Sequence, residues 1–420
     1  MNNAQKDKAF IWHPFTQTEG LKILPVIKHG KGALLYDENG KEYIDAISSW
    51  WVNIHGHANP YIAKKIALQA KKLEQVIFAG FTHQPAIELA ERLVQKLPEG
   101  FSKIFFSDNG STSVEVGIKM AIQYWHNLEK PKTKIIALTN AYHGDTFGAM
   151  AVGERGLFNR PFESLFFDVE FIDPTKPDEA KLKFEALAAT NQIAAFIYEP
   201  LIQGSGGMIF YEPQLLNELI SISNCHSIIC IADEVMTGFY RTGKFLASNH
   251  LQLSPDIVCL SKGLTGGFLP MGITTCKGFI FDAFTSTDKF KTFFHGHSYT
   301  ANPLSCSAAL ASLDIIEKPN FDMLIKGIEQ QHLKFLYLLK KLPQIENPRV
   351  LGTILAFEVK NEQNSSYFNN IRDLLYNKFI ENGILLRPLG NTVYIMPPYI
   401  ITKKQLKKVY NIILEVLSSL

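Results

Sequence analysis

The chain alternates short apolar runs with longer stretches in which apolar residues recur every three or four positions. Residues 103–106, 134–138, 194–198, 228–232 and 257–260 are apolar nearly throughout. Runs of that length without alternation predict strands buried on both faces, as in a parallel sheet. Residues 60–73, 85–97, 304–316 and 403–420 carry the wider period and predict helices, and a further helix is predicted over 114–125. Asn39-Gly40 between the half-apolar runs of 34–45 predicts a hairpin. Pro14, among the aromatics of 11–16, bars a regular helix there and leaves that segment extended on another surface. A charged and polar region beyond residue 316 marks a change of unit, followed by predicted strands at 350–359, 384–387 and 393–396. The predicted architecture is α/β. It comprises an N-terminal segment, 1–48, packing with the small domain, a large domain, 49–316, with a mostly parallel central sheet, and a smaller α+β domain, 317–420.

Composition narrows the function. With 420 residues and 46% hydrophobic content, the chain can bury a large core. A formal charge of +2 gives no field that would draw nucleic acid or an anionic membrane, so a small-molecule substrate is expected. The first residues lack the apolar core of a secretory signal, and no apolar run is long enough to span a bilayer, which predicts a cytoplasmic location. The cysteines, 225, 230, 259, 276 and 306, have no C-x-x-C spacing and read as free thiols, mostly buried. His55 and His57 lie two apart with no third ligand nearby in sequence, and no metal site is expected.

Candidate chemistry gathers at the ends of the predicted strands, where open α/β sheets bind ligands. Asp233 closes the run 228–232, and Lys262 follows the run 257–260 in the Gly-rich turn Ser261-Lys262-Gly263-Leu264-Thr265-Gly266-Gly267. Such an acid can hold a proton on a pyridine nitrogen while the amine condenses with an aldehyde, which is how proteins hold pyridoxal phosphate. The turn Ser107-Asp108-Asn109-Gly110-Ser111-Thr112-Ser113 opens the 114–125 helix. It reads either as a phosphate cup or as an ordinary N-cap. Tyr142, before Gly144, is either a ring-stacking aromatic or part of a plain loop. Trp50 and Trp51 are either core or a substrate-facing wall. Glu199 opens a polar, Gly-rich loop after the run 194–198, and Arg241 is expected to salt-bridge Glu199 or Glu234.

Asp233-Glu234-Val235-Met236-Thr237-Gly238-Phe239, continuing to Arg241-Thr242-Gly243, together with the Lys262 turn and the run His295-Gly296-His297-Ser298-Tyr299-Thr300-Ala301-Asn302-Pro303, resembles class III pyridoxal-phosphate aminotransferases of fold type I. The resemblance spans essentially the whole chain. It implies pyridoxal 5'-phosphate as cofactor, with Lys262, Tyr142 and Asp233 as the catalytic set. Lys262 would carry the cofactor, Asp233 its ring nitrogen, Tyr142 would stack on the ring, and Gly110 and Ser111 would bind its phosphate. Ser298 would reach that phosphate from a neighbouring subunit, which implies a homodimer with sites at the interface. Further motifs, Trp12-His13-Pro14-Phe15-Thr16, Ser48-Ser49-Trp50-Trp51, Tyr142-His143-Gly144-Asp145 and Arg387-Pro388-Leu389-Gly390, resemble the members that make 7,8-diaminononanoate for biotin with S-adenosylmethionine as donor. They imply Trp50 and Tyr142 beside the substrate, Arg387 on its carboxylate, and Phe15 and Tyr394 at the pocket. Phe15 stands where the family commonly has Tyr, removing a hydroxyl that would face the donor. Lysine as donor, an ornithine or 4-aminobutyrate ω-aminotransferase, and a non-catalytic cofactor-binding protein are the competing readings.

Overall fold

The structure, a computed structural model, describes residues 1–20, 22–156, 158–360 and 370–420. Its centre is a seven-stranded sheet in the order Phe101–Ser107, Gly272–Lys277, Ile257–Leu260, Ile229–Asp233, Ile193–Tyr198, Lys134–Leu138, Val169–Ile172. Gly272–Lys277 runs antiparallel to both neighbours, and the other pairings within the sheet are parallel. The unbroken apolar runs are explained by burial on both faces. Ile136, Leu138, Phe196, Tyr198, Cys230 and Ala232 join one core cluster, while the alternate residues Ile135, Ala137, Ala195, Ile197, Ile229 and Ile231 join another. Strand ends therefore deliver Ser107, Tyr198, Asp233 and Leu260 to one edge, with Met271 arriving there from the reversed strand.

The hairpin at Asn39-Gly40 forms between Leu34–Asp37 and Glu42–Asp45. Ile27–Lys31 pairs on one side, and Ile384–Leu385, from the far end of the chain, adds in parallel on the other. A three-stranded antiparallel sheet joins Ile345–Leu351, Ile354–Val359 and Thr392–Ile395. What reads as one strand over 350–359 is thus two, split by a turn at Gly352, whose φ of 57° suits glycine.

Two helices lie where no element is predicted, and one expectation, for the aromatic segment of 11–16, is corrected. The polar region after 316 contains the helix Phe321–Leu339, which buries Phe321, Ile325, Ile328, His332, Phe335 and Leu339. That spacing is helical, but the polar residues between hide it from a window average. Near the N-terminus, a helix Asn3–Phe10 precedes the aromatic segment. Trp12 is exposed instead of lying on a surface, and Phe15 turns at a φ of 50°. Four cysteines are buried and Cys225 is exposed, all free. Among the described residues no helix is long and apolar enough to cross a membrane, and no cluster of three or more His, Cys, Asp or Glu could hold a metal.

Candidate active site

The strand ends open into a cavity of 570 Å³ lined by Gly110, Ser111, Tyr142, Asp233 and Lys262 together with Trp51 and Glu199. Five of the residues singled out from sequence therefore meet in one place. Asp233 is buried, and its carboxylate accepts from the Val235 N–H at 3.0 Å and pairs with His143 Nδ1 at 2.7 Å. His143 is itself buried, and its Nε2 has no hydrogen-bond partner among the described residues. Lys262 has a positive φ of 39°, a position that costs strain in a non-glycine residue. Its ammonium sits 5.2 Å from the centre of the Trp51 ring. Burial pulls the Lys262 amine below its ordinary pKa, while Asp233 and Glu199 oppose that shift.

The helix Gly110–Asn127 begins at the cavity, four residues earlier than its apolar period suggests. Asn109 caps it through a reciprocal bond pair with Thr112, so the N-cap reading holds for Asn109. The first-turn N–H groups of Gly110 and Ser111 have no partner within the helix, and both residues line the cavity, which leaves the cup as well. A Cβ on Gly110 would lie 2.6 Å from Val235 Cγ1, so this close approach requires glycine. Tyr142 lies across the cavity, its hydroxyl donating to Asp145 at 2.9 Å and its N–H to Glu199 at 3.0 Å. Burial and the neighbouring carboxylates push its phenol well up.

Glu199 is buried, accepts from the N–H groups of Tyr142 and Gly204, and is pushed up to about 7, first by burial and, among charges, by Asp233 against His143. Sequence reading saw Glu199 only as a salt-bridge partner and gave His143 no role. The signal that flagged Asp233, an acid closing a buried apolar run, applies equally to Glu199. Arg241 is a correction: its buried guanidinium donates to the carbonyls of Trp51 and Pro397, at 3.0 and 2.9 Å, and pairs with neither Glu199 nor Glu234. Glu234 instead accepts from Thr237 and from the N–H groups of Ala247 and Ser248.

The remaining predicted residues lie outside the cavity lining. Trp51, not Trp50, forms its wall, because Ser48, Ser49 and Trp51 all adopt positive φ and turn the chain sharply. Tyr394 is buried behind that wall, accepting from Trp51 Nε1 at 3.0 Å. Trp50, Phe15 and Arg387 form a partly exposed group of their own. The Phe15 and Trp50 rings meet edge-on at 5.7 Å, and the Arg387 guanidinium sits 5.2 Å from the Trp50 ring. Ser298 is exposed, its carbonyl accepting from Gln75.

The class-III aminotransferase family profile matches residues 15–417. The chain belongs to the class-III aminotransferases. Among individual relatives of this family, the adenosylmethionine-8-amino-7-oxononanoate aminotransferase of Synechococcus elongatus is 47% identical, covering 98% of this chain and 99% of that one. The enzyme of the same name from Helicobacter pylori is 36% identical across the whole chain. The solved structure of the Methanocaldococcus jannaschii enzyme of that name superimposes with a TM-score of 0.93 at 35% identity, covering 99% of this chain and 98% of that one. An amine transaminase from an uncultivated Pseudomonas species, solved with its cofactor bound, superimposes with a TM-score of 0.91 at 29% identity, over 98% of each chain. As a class-III aminotransferase of fold type I, the chain is an enzyme dependent on pyridoxal 5'-phosphate. The residues present fit that group: an amine of lowered pKa, a carboxylate aimed from a strand end, and a helix N-terminus whose glycine admits close approach all face one cavity.

Proposed function

We propose that this aminotransferase moves the amino group of S-adenosylmethionine onto 8-amino-7-oxononanoate, giving 7,8-diaminononanoate in biotin biosynthesis. The observation that carries the reading is the full-length identity to the Synechococcus enzyme, to which the cavity adds a matching chemistry. Bound pyridoxal phosphate supplies an electron sink that lets the substrate's Cα release its proton. Lys262 Nζ, held below its ordinary pKa, is the base that takes this proton and returns it. Asp233 stays fixed by His143 and the Val235 N–H and balances the charge on the ring nitrogen. Gly110 and Ser111 bind the phosphate, and Tyr142 covers the ring. Trp51 and Met271, in the cavity wall, keep water from the reacting carbon.

Arg387, Trp50 and Phe15 recognise the substrates beyond the cavity, with the Arg387 fork suited to the carboxylate of the oxononanoate. Ser298 completes the phosphate site of a neighbouring copy, which makes a homodimer the working unit. Two substrate half-reactions through one site predict ping-pong kinetics. The test is turnover of 8-amino-7-oxononanoate by the purified enzyme with S-adenosylmethionine or lysine as donor, beside 4-aminobutyrate and ornithine. Growth of a biotin auxotroph lacking this step is the cellular counterpart. Turnover of 4-aminobutyrate with none of the oxononanoate would replace this reading by an ω-aminotransferase.

A further inference from the structure

Between the cofactor helix and the loop of Tyr142 lies a carboxylate outside the cavity. Ser111 and Glu115 stand four residues apart on the helix Gly110–Asn127, hence on one face. Ser111 Oγ accepts from the Thr146 N–H at 3.0 Å and shares a bond with the Thr146 hydroxyl at 2.8 Å. One turn on, Glu115 Oε1 accepts from the N–H groups of Gly148 and Ala149 at 2.6 and 3.1 Å. These open the short helix Phe147–Ala151, whose own N-cap, Thr146, makes no side-chain capping bond. The cap thus comes from another helix. A Cβ on Gly148 would lie 2.8 Å from Glu115 Cδ, so any larger residue there would have to displace the carboxylate.

We infer that Glu115 is a positioning residue for the cofactor, fixing the loop of Tyr142 against the helix of Gly110 and Ser111. The inference rests on the reading of this cavity as the cofactor site. The loop is held at one end by Glu199, on the Tyr142 N–H, and at the other by Glu115. The Tyr142–Asp145 bond braces it between. Ring and phosphate contacts come from different elements, and Glu115 sets the register between them. Release of this anchor widens the range of positions open to Tyr142 without removing any group that touches the cofactor.

The test compares Glu115→Ala, Glu115→Asp and Glu115→Gln with the parent chain. Pyridoxal phosphate is titrated into cofactor-free protein, and the visible circular dichroism of the bound cofactor is recorded. Loss of two hydrogen bonds to a charged group should weaken cofactor binding by ~10-fold or more in Glu115→Ala. Glu115→Asp, too short to reach, should behave alike, whereas Glu115→Gln keeps Oε1 and should stay within about threefold of the parent. The dichroism should fall in the Ala and Asp variants and recover in Gln. Binding by Glu115→Ala within about twofold of the parent, with unchanged dichroism, overturns the inference, as does a Gln variant as impaired as Ala. Should Glu115→Ala not fold, the contrast of Asp with Gln decides in the same way. A parent chain that failed to bind pyridoxal phosphate would overturn the reading of the site itself, a result distinct from either.

Discussion

Replacing Glu199 by Gln should reshape the pH dependence of stability. The carboxyl is pushed from 4.5 to about 7 in the folded protein, by burial and by Asp233. The folded state therefore holds this proton more tightly than the unfolded chain does. The resulting stabilisation is fully present below pH 4.5 and is lost as pH rises through about 7. A shift of that size corresponds to about 3 kcal/mol across the window. Gln is nearly isosteric and does not titrate, so this loss vanishes in the variant. A second effect opposes it, because one Glu199 oxygen accepts from Tyr142 and the other from Gly204. An amide offers a single acceptor oxygen, leaving one N–H facing an NH₂ group at a cost of about 1–3 kcal/mol. At pH 4 only that cost acts, and the variant should be less stable by its full amount. By pH 8.5 the parent has lost its proton-linked stabilisation, and the gap should close by about 3 kcal/mol. Urea unfolding of cofactor-free parent and Glu199→Gln across this range measures the gap. A gap constant to within about 1 kcal/mol would refute the reasoning, since extrapolation error alone is of that order.

Lys262→Ala should abolish the visible absorbance of the bound cofactor and lower amino transfer by at least ~10²-fold, as loss of the proton-transfer group requires; spectrum and steady-state rate check it together. Gly110→Ala places a methyl against Val235, and overpacking of about 1–3 kcal/mol should weaken cofactor binding. Gly327→Ala, where a Cβ meets nothing within 4 Å, is the control and should leave affinity unchanged. His55 and His332 are buried neutral, pulled down to about 3 and about 4 by burial. Their folded pKa values lie below that of the unfolded chain, so their stabilisation is present above pH 6.5 and lost as pH falls toward 4. Each should contribute a slope of about 1.4 kcal/mol per pH unit, and His332→Gln should remove one such slope in acid unfolding curves.

The strands of the central sheet were legible because burial on both faces writes an unbroken apolar run. Asp233 and Lys262 were legible because each follows such a run. The Tyr142 loop, the Gly110 turn and the group of Phe15, Trp50 and Arg387 became specific only through resemblance, since each admits an ordinary structural reading alone. The choice of Trp51 over Trp50 as cavity wall was not legible, because it hangs on left-handed φ values at Ser48, Ser49 and Trp51 that no hydrophobic pattern encodes. His143 escaped notice because its partner Asp233 is distant in sequence. The helix Asn3–Phe10 buries nothing and so leaves no periodic trace.

The bonds of Arg241 have a consequence for the order in which the enzyme can be made. The wall residue Trp51 is tied through Arg241 to Pro397 and through its indole to Tyr394, and Ser48 donates to the Met396 carbonyl. A nascent chain that has delivered Asp233 and Lys262 still lacks the partners that hold Trp51 in place. The ribosome must therefore translate past residue 397 before the cavity can close, so a chain terminated before that point releases the lysine and aspartate without a pocket to use them.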